Sequence, residues 1–196
     1  MKLLKNRSFL IPAALVIMLA VGVASAFSDL KGAIRDTEQL YYDGVKAEKG
    51  NYLRPSIYSQ MNFKYTTANG ILGIVDGHPE LETAAAALRE AKNRVYDCMG
   101  AYDENTVRSM AAANGELMRA VKQLETALED ANLSERERKE LDRCLKDMDG
   151  AQSVIEQSGY NEAVREFNST KMSRFPAKQF LALFDRNSRG ASYFEY

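Results

Sequence analysis

A single histidine and two cysteines leave this chain few ways to hold a transition metal. Cys98 and Cys144 stand 46 positions apart, with no CxxC pair and no histidine nearby, so the sequence spells out neither a zinc site nor a redox dithiol. Two thiols on helix core faces and a disulfide are the readings left for them. Tryptophan is absent and there are only four prolines, a composition that favours helices. Glycine-rich phosphate loops, Ser/His/Asp and Cys/His groupings are all missing. Di-iron bundles need Glu-x-x-His pairs, and none occurs. His78 stands alone at a helix start, where it reads as a cap or surface residue. The sequence therefore offers no catalytic, cofactor-binding or metal-ligating residue and no cofactor, and the chain reads as a non-enzymatic protein.

The other absence is charge, over one stretch. Ser8–Ser28 runs 21 residues without a charged side chain, between Arg7 and Asp29. At about 1.5 Å per helical residue it covers the roughly 30 Å hydrocarbon core of a bilayer. Lys2, Lys5 and Arg7 precede it, so residues 1–7 read as a basic cytoplasmic n-region. Residues 8–28 read as a single-pass transmembrane anchor. The alternative is a signal peptide cleaved after Ala24-Ser25-Ala26 and followed by secretion. Either reading sends Phe27–Tyr196 to the extracytoplasmic side, while Lys31 and Arg35, close after the segment, leave the reverse orientation open. With the three leading cations set aside, 23 basic residues face 27 acidic ones, a net charge of about −4. That balance argues against nucleic-acid binding.

Periodicity beyond the anchor is helical. Phe27, Leu30, Ile34, Thr37, Tyr41 and Val45 form a stripe that predicts a helix ending near Lys49-Gly50-Asn51. A second stripe, Leu53, Ile57, Met61, Lys64, Ala68, Ile71 and Val75, joins a third, Leu81, Ala84, Leu88, Ala91, Val95 and Cys98. Together they predict one long helix over Leu53–Met99, with a kink or short break at residues 77–79 where Gly77 and Pro79 fall. The most regular seam is Val107, Met110, Asn114, Leu117, Val121, Leu124, Leu128 and Ala131. Its single polar member, Asn114, has the place of a register-fixing residue. Ser134 and Glu137 predict a capping box that opens a last long helix, running to about Ser173 with Gly159 inside it. The expected fold class is all-α: an N-terminal membrane helix running into an antiparallel bundle of about four long helices, with a short C-terminal helix and tail. The bundle is assigned to residues 29–184 and an aromatic tail to 185–196. Phe175, Phe184, Tyr193 and Phe194 are expected to dock back on the helices as a latch.

Several of these residues carry a resemblance. Tyr160-Asn161-x-x-Val164-x-x-Phe167-Asn168, then Phe175-Pro176, Leu181-Ala182-x-Phe184 and Tyr193-Phe194-Glu195 resemble the C-terminal third of the LemA family of bacterial membrane-anchored helical proteins. Gly73–Glu80, with Glu90-Ala91-Lys92-Asn93-Arg94 after it, is similar to that family's Gly…His-Glu…Glu-Ala-Arg run. Leu53-Arg54-Pro55-Ser56-Ile57 departs from the family's Leu-Ile-Pro-Asn-Leu-Val signature, and the usual tryptophan of the first helix is missing. The resemblance implies a membrane-anchored helical bundle of the cell envelope and brings no settled activity. It also implies a bundle in the cytoplasm, the opposite of the side that the leading charges indicate.

The expected function is a protein-interaction scaffold, held at the membrane through residues 8–28 and meeting a protein partner. An alternative is a binder or carrier of an apolar small molecule, with Met61, Met99, Met110, Met118 and Met148 lining an adaptable cavity between helices.

Overall fold

A computed structural model describes residues 7–47, 52–100, 105–173 and 190–195. Six helices carry nearly all of them: α1 (Arg7–Asp43), α2 (Ile57–Val75), α3 (Glu82–Met99), α4 (Thr106–Leu128), α5 (Glu135–Glu156) and α6 (Tyr160–Phe167). A 3-10 turn, Pro79–Leu81, precedes α3, and a π turn, Asn168–Met172, follows α6. The chain divides into two compact units, one of Met1–Thr37 with Arg165–Ala191 and the other of Glu38–Val164 with Ser192–Tyr196.

In the first unit, α1 carries an apolar stretch long enough to cross a bilayer, and none of its most apolar window is buried. Leu15, Val16, Ile17, Met18, Leu19 and Val21 are each more than half exposed. From Phe27 onward the helix gains a covered face: Phe27, Leu30, Ile34 and Thr37 are half-buried. Also in this unit, the Asn168 side chain holds the backbone of Ala191 at both ends, at 3.0 and 3.1 Å.

The second unit contains the bundle. α2 packs against α3 and α5, and α3 packs against α4. Neighbouring helices run antiparallel. Lys92 of α3 donates to Asn69 at 3.1 Å, and Tyr96, further along α3, stacks on Tyr65, earlier in α2. The expected long helix over Leu53–Met99 is therefore two helices folded back on each other. Asp76 lies outside helical geometry and Gly77 has φ +92°, so the chain reverses here instead of bending. Along α2 and α5, Lys64 meets Gln152 while Gly70 lies beside Cys144, the opposite order in the two helices.

Every member of the α4 seam is buried, Asn114 included, and Ala111, Ala113 and Ala120 widen the buried face. Ala85 and Ala91 lie on the buried side of α3. Short side chains on both surfaces let these two helices approach closely. The capping box forms as expected: the Glu137 amide donates to Ser134 Oγ at 3.3 Å, and the Ser134 amide donates to Glu137 Oε2 at 2.8 Å.

Two helix ends differ from expectation. α1 stops at Asp43, because Gly44 turns at φ +84° and a Cβ there would lie 2.2 Å from the Arg54 carbonyl oxygen. A short antiparallel pairing follows, with Ala47 donating to Tyr52 at 3.1 Å and Arg54 to Val45 at 2.9 Å. Gly159 ends α5 instead of lying within a longer helix. It has φ +80°, and the Arg54 guanidinium fills the space where a Cβ would stand. That guanidinium donates to the Gln157 carbonyl at 3.1 Å, a favourable place for a cation at a helix C-terminus.

Candidate functional site

Three arrangements in the second unit bring polar chemistry together. The first lies inside the bundle. Lys64 comes from the apolar stripe of α2, and with both neighbouring faces packed its ammonium has no route to water: the residue is 0% exposed. It donates to Asn114 Oδ1 at 2.7 Å and to Gln152 Oε1. Asn114 Nδ2 also donates to Gln152 Oε1 at 3.1 Å, and Gln152 Nε2 donates to Glu156 at 3.0 Å. Neutral amide oxygens solvate a cation only in part, so burial lowers the Lys64 pKa to about 7, against the upward pull of Glu156 and Asp149. The cluster joins α2, α4 and α5 through side chains that satisfy one another. Lys64 and Asn114 are its fully buried end, Gln152 is half-buried, and Glu156 stands exposed at its outer end.

The second arrangement is at one end of the bundle. His78 Nε2 lies 3.3 Å from Glu137 Oε1 and His78 Nδ1 3.7 Å from Glu80 Oε1. Glu80 in turn accepts from the Asn132 amide at 3.3 Å. The α2–α3 turn is thereby tied to the α4–α5 turn. The Glu137 carboxyl is lowered to about 2, chiefly by the Ser134 hydroxyl and amide and then by His78. Reading His78 as solitary missed these partners, which lie 59 residues away in Glu137 and two away in Glu80.

The third arrangement holds an extended segment. The Ser192 amide donates to Glu38 Oε1 at 2.8 Å, and the Ser192 carbonyl accepts from the Tyr160 hydroxyl at 2.8 Å. Two residues on, the Phe194 amide donates to Asn161 Oδ1 and its carbonyl accepts from Asn161 Nδ2, both at 2.9 Å. Both backbone groups of alternate residues are thus met by side chains, as a neighbouring strand would meet them. The Phe194 ring is buried and stacks on Tyr41 with centroids 6.0 Å apart; Tyr160 and Tyr58 stand edge-on to the same ring of Tyr41. The Tyr41 hydroxyl is buried and has no hydrogen-bond partner among the described residues. Of the expected latch, Phe194 docks and Tyr193 is half-buried. Phe175 and Phe184, like the short C-terminal helix, lie outside the described residues.

Among the described residues no three His, Cys, Asp or Glu side chains are grouped to hold a metal ion. Cys98 and Cys144 are half-buried and form no disulfide. Met61, Met110 and Met148 are fully buried in the core, while Met99 and Met118 are partly exposed. An open recess of about 320 Å³ lies along α1, lined by Leu15, Met18, Leu19, Gly22 and Val23.

No family model matches this chain, and neither does any curated protein or solved structure. Function therefore rests on the residues themselves. Lys64 and Asn114 were visible in the sequence as polar members of buried stripes. Asn161 was visible only as a letter in a motif, because its partner lies 33 residues on.

Proposed function

We propose that this protein is a non-enzymatic, membrane-anchored helical bundle of the LemA type that serves as a protein-interaction scaffold at the cell envelope. Residues 8–28 form the single-pass anchor, and the bundle lies on the extracytoplasmic side. The observation that carries the reading is the bare apolar flank of α1. Six large apolar side chains between Leu15 and Val21 stand in the open, at a helical length matched to a bilayer. Water is a costly neighbour for such a surface, and lipid is not. Lys2, Lys5 and Arg7 before the anchor support the assigned orientation. The mildly acidic bundle, which places Tyr52, Phe63 and Tyr96 at its surface, supports a protein partner.

The test is photo-crosslinking in intact membranes from Tyr52, Phe63 and Tyr96, one position at a time. A scaffold yields a discrete protein adduct that recurs from positions on one face. An absence of adducts at all three positions would overturn the scaffold reading.

A further inference from the structure

The turn between α2 and α3 brings one imidazole up to the turn between α4 and α5. Gly77 reverses the chain at φ +92°, and Pro79 keeps the residue before it out of helical geometry, so His78 is extended at φ −100° and ψ 97°. Its ring stands between two carboxylates, with Nε2 3.3 Å from Glu137 Oε1 and Nδ1 3.7 Å from Glu80 Oε1. Glu137 divides its two oxygens between two tasks. Oε2 accepts from the Ser134 amide and hydroxyl, at 2.8 and 2.6 Å, which fixes the carboxylate and leaves Oε1 for His78. Glu80 is fixed in turn by the Asn132 amide.

A neutral imidazole carries a single N–H, so it donates to one of these carboxylates and turns a lone pair to the other. An imidazolium has an N–H for each. Both carboxylates stay charged through the neutral range. Glu137 is lowered to about 2, first by the Ser134 hydroxyl, and Glu80 is lowered by its own backbone amide and that of Asn132 before His78 adds to it. We propose that His78 is a proton-operated clamp, which on acidification through neutrality takes up a proton and draws the α2–α3 turn against the α4–α5 turn. Towards alkaline pH the same residue lets the two turns part locally. The sign follows from linkage: the closed tip favours the protonated ring, so closure strengthens as pH falls. Histidine is the side chain whose charge ordinarily changes between pH 5 and 8. Glu80 and Glu137 are the ion-pair partners of His78 among the described residues; α2 and α4 supply none, and Arg138 beside Glu137 donates to the Ala131 carbonyl at 3.2 Å. Lys64 responds to the same pH range with the opposite sign, because burial favours its unprotonated amine. The two ties are separable by substitution.

The experiment measures amide hydrogen exchange of the full chain in a mild detergent between about pH 5.5 and pH 8, each rate divided by its intrinsic value at that pH. Two amides report on the clamp: Asn132, which donates to Glu80, and Leu81, which donates to the His78 carbonyl at 3.0 Å. Their protection rises roughly two- to fivefold towards acid, the strength of a part-exposed ion pair. Molar salt shrinks that rise by screening. His78→Gln, which donates without titrating, removes the rise, and Lys64→Met keeps it. A flat profile in the native chain would overturn the clamp, as would a rise that survives in His78→Gln, one lost in Lys64→Met or one indifferent to salt.

Discussion

Lys64 makes the stability of the bundle rise with pH above neutrality. Its ammonium is buried, and its folded pKa is lowered to about 7 from the ordinary 10.5. Below pH 7 both native and unfolded chains hold the proton, and the native state bears the full penalty of a buried charge. Between pH 7 and 10.5 the unfolded chain keeps the proton that the native chain has shed, so stability rises with pH. The slope approaches 1.4 kcal/mol per unit, which amounts to about 2.5 kcal/mol between pH 7.5 and 9.5. The window closes near pH 10. There burial holds the Tyr160 hydroxyl protonated in the native state while the unfolded chain loses that proton, which makes stability fall again. The assay is urea unfolding of the full chain in a mild detergent, followed by far-UV circular dichroism at several pH values. Lys64→Met keeps an unbranched side chain of similar length and removes the titration. It should abolish the slope while leaving stability at pH 7 within about 1–2 kcal/mol, because the lost charge penalty offsets an Asn114 oxygen left without its donor. A flat or falling wild-type profile over pH 7.5–9.5, or a slope that survives in the methionine variant, would show that Lys64 does not set the pH dependence.

Two further outcomes follow from burial. Leu117→Asp places an unpaired charge in the fully buried α4 seam and should cost several kcal/mol, enough to unfold a marginal bundle. Lys122→Asp lies on the exposed side of the same helix and should shift the melting temperature little, so equal melting for the two would show the faces to be misassigned. Phe194→Ala removes a buried ring worth about 3 kcal/mol in a closed core, but the loss is capped at the free energy of docking because the segment can let go. Tyr193→Ala should cost under about 1 kcal/mol, and hydrogen exchange at the Ser192 and Phe194 amides should rise in the first variant and stay near wild type in the second.

How much of this was legible in the sequence depended on range. The α4 seam repeats locally, and every member is buried, so periodicity alone was sufficient there. Lys64 and Asn114 were both placed facing inward by the same rule, although spacing could not say that they touch. Helix ends were read less well. The stripe through Val45 continues past Gly44, and only the Arg54 carbonyl, brought close by the folded chain, shows why the helix stops. Gly159 likewise looked like a weak point within a helix until its positive φ and the Arg54 side chain made it a turn. Gly77 and Pro79 announced a break, but a stripe on either side of a break carries no information about whether the chain bends or reverses. The seat for Ser192–Phe194 was illegible because side chains grip a backbone far away in sequence, and no local pattern records that.

A bundle held in a membrane by α1 resists extraction by anything short of detergent. Membranes from cells expressing the full chain are washed with high salt and then with alkaline carbonate, and the mass of the protein in each fraction is determined. An anchored chain retains residues 8–28 and stays in the membrane pellet through both washes. An intact species beginning at Phe27, free in the medium or released by the washes, would contradict it.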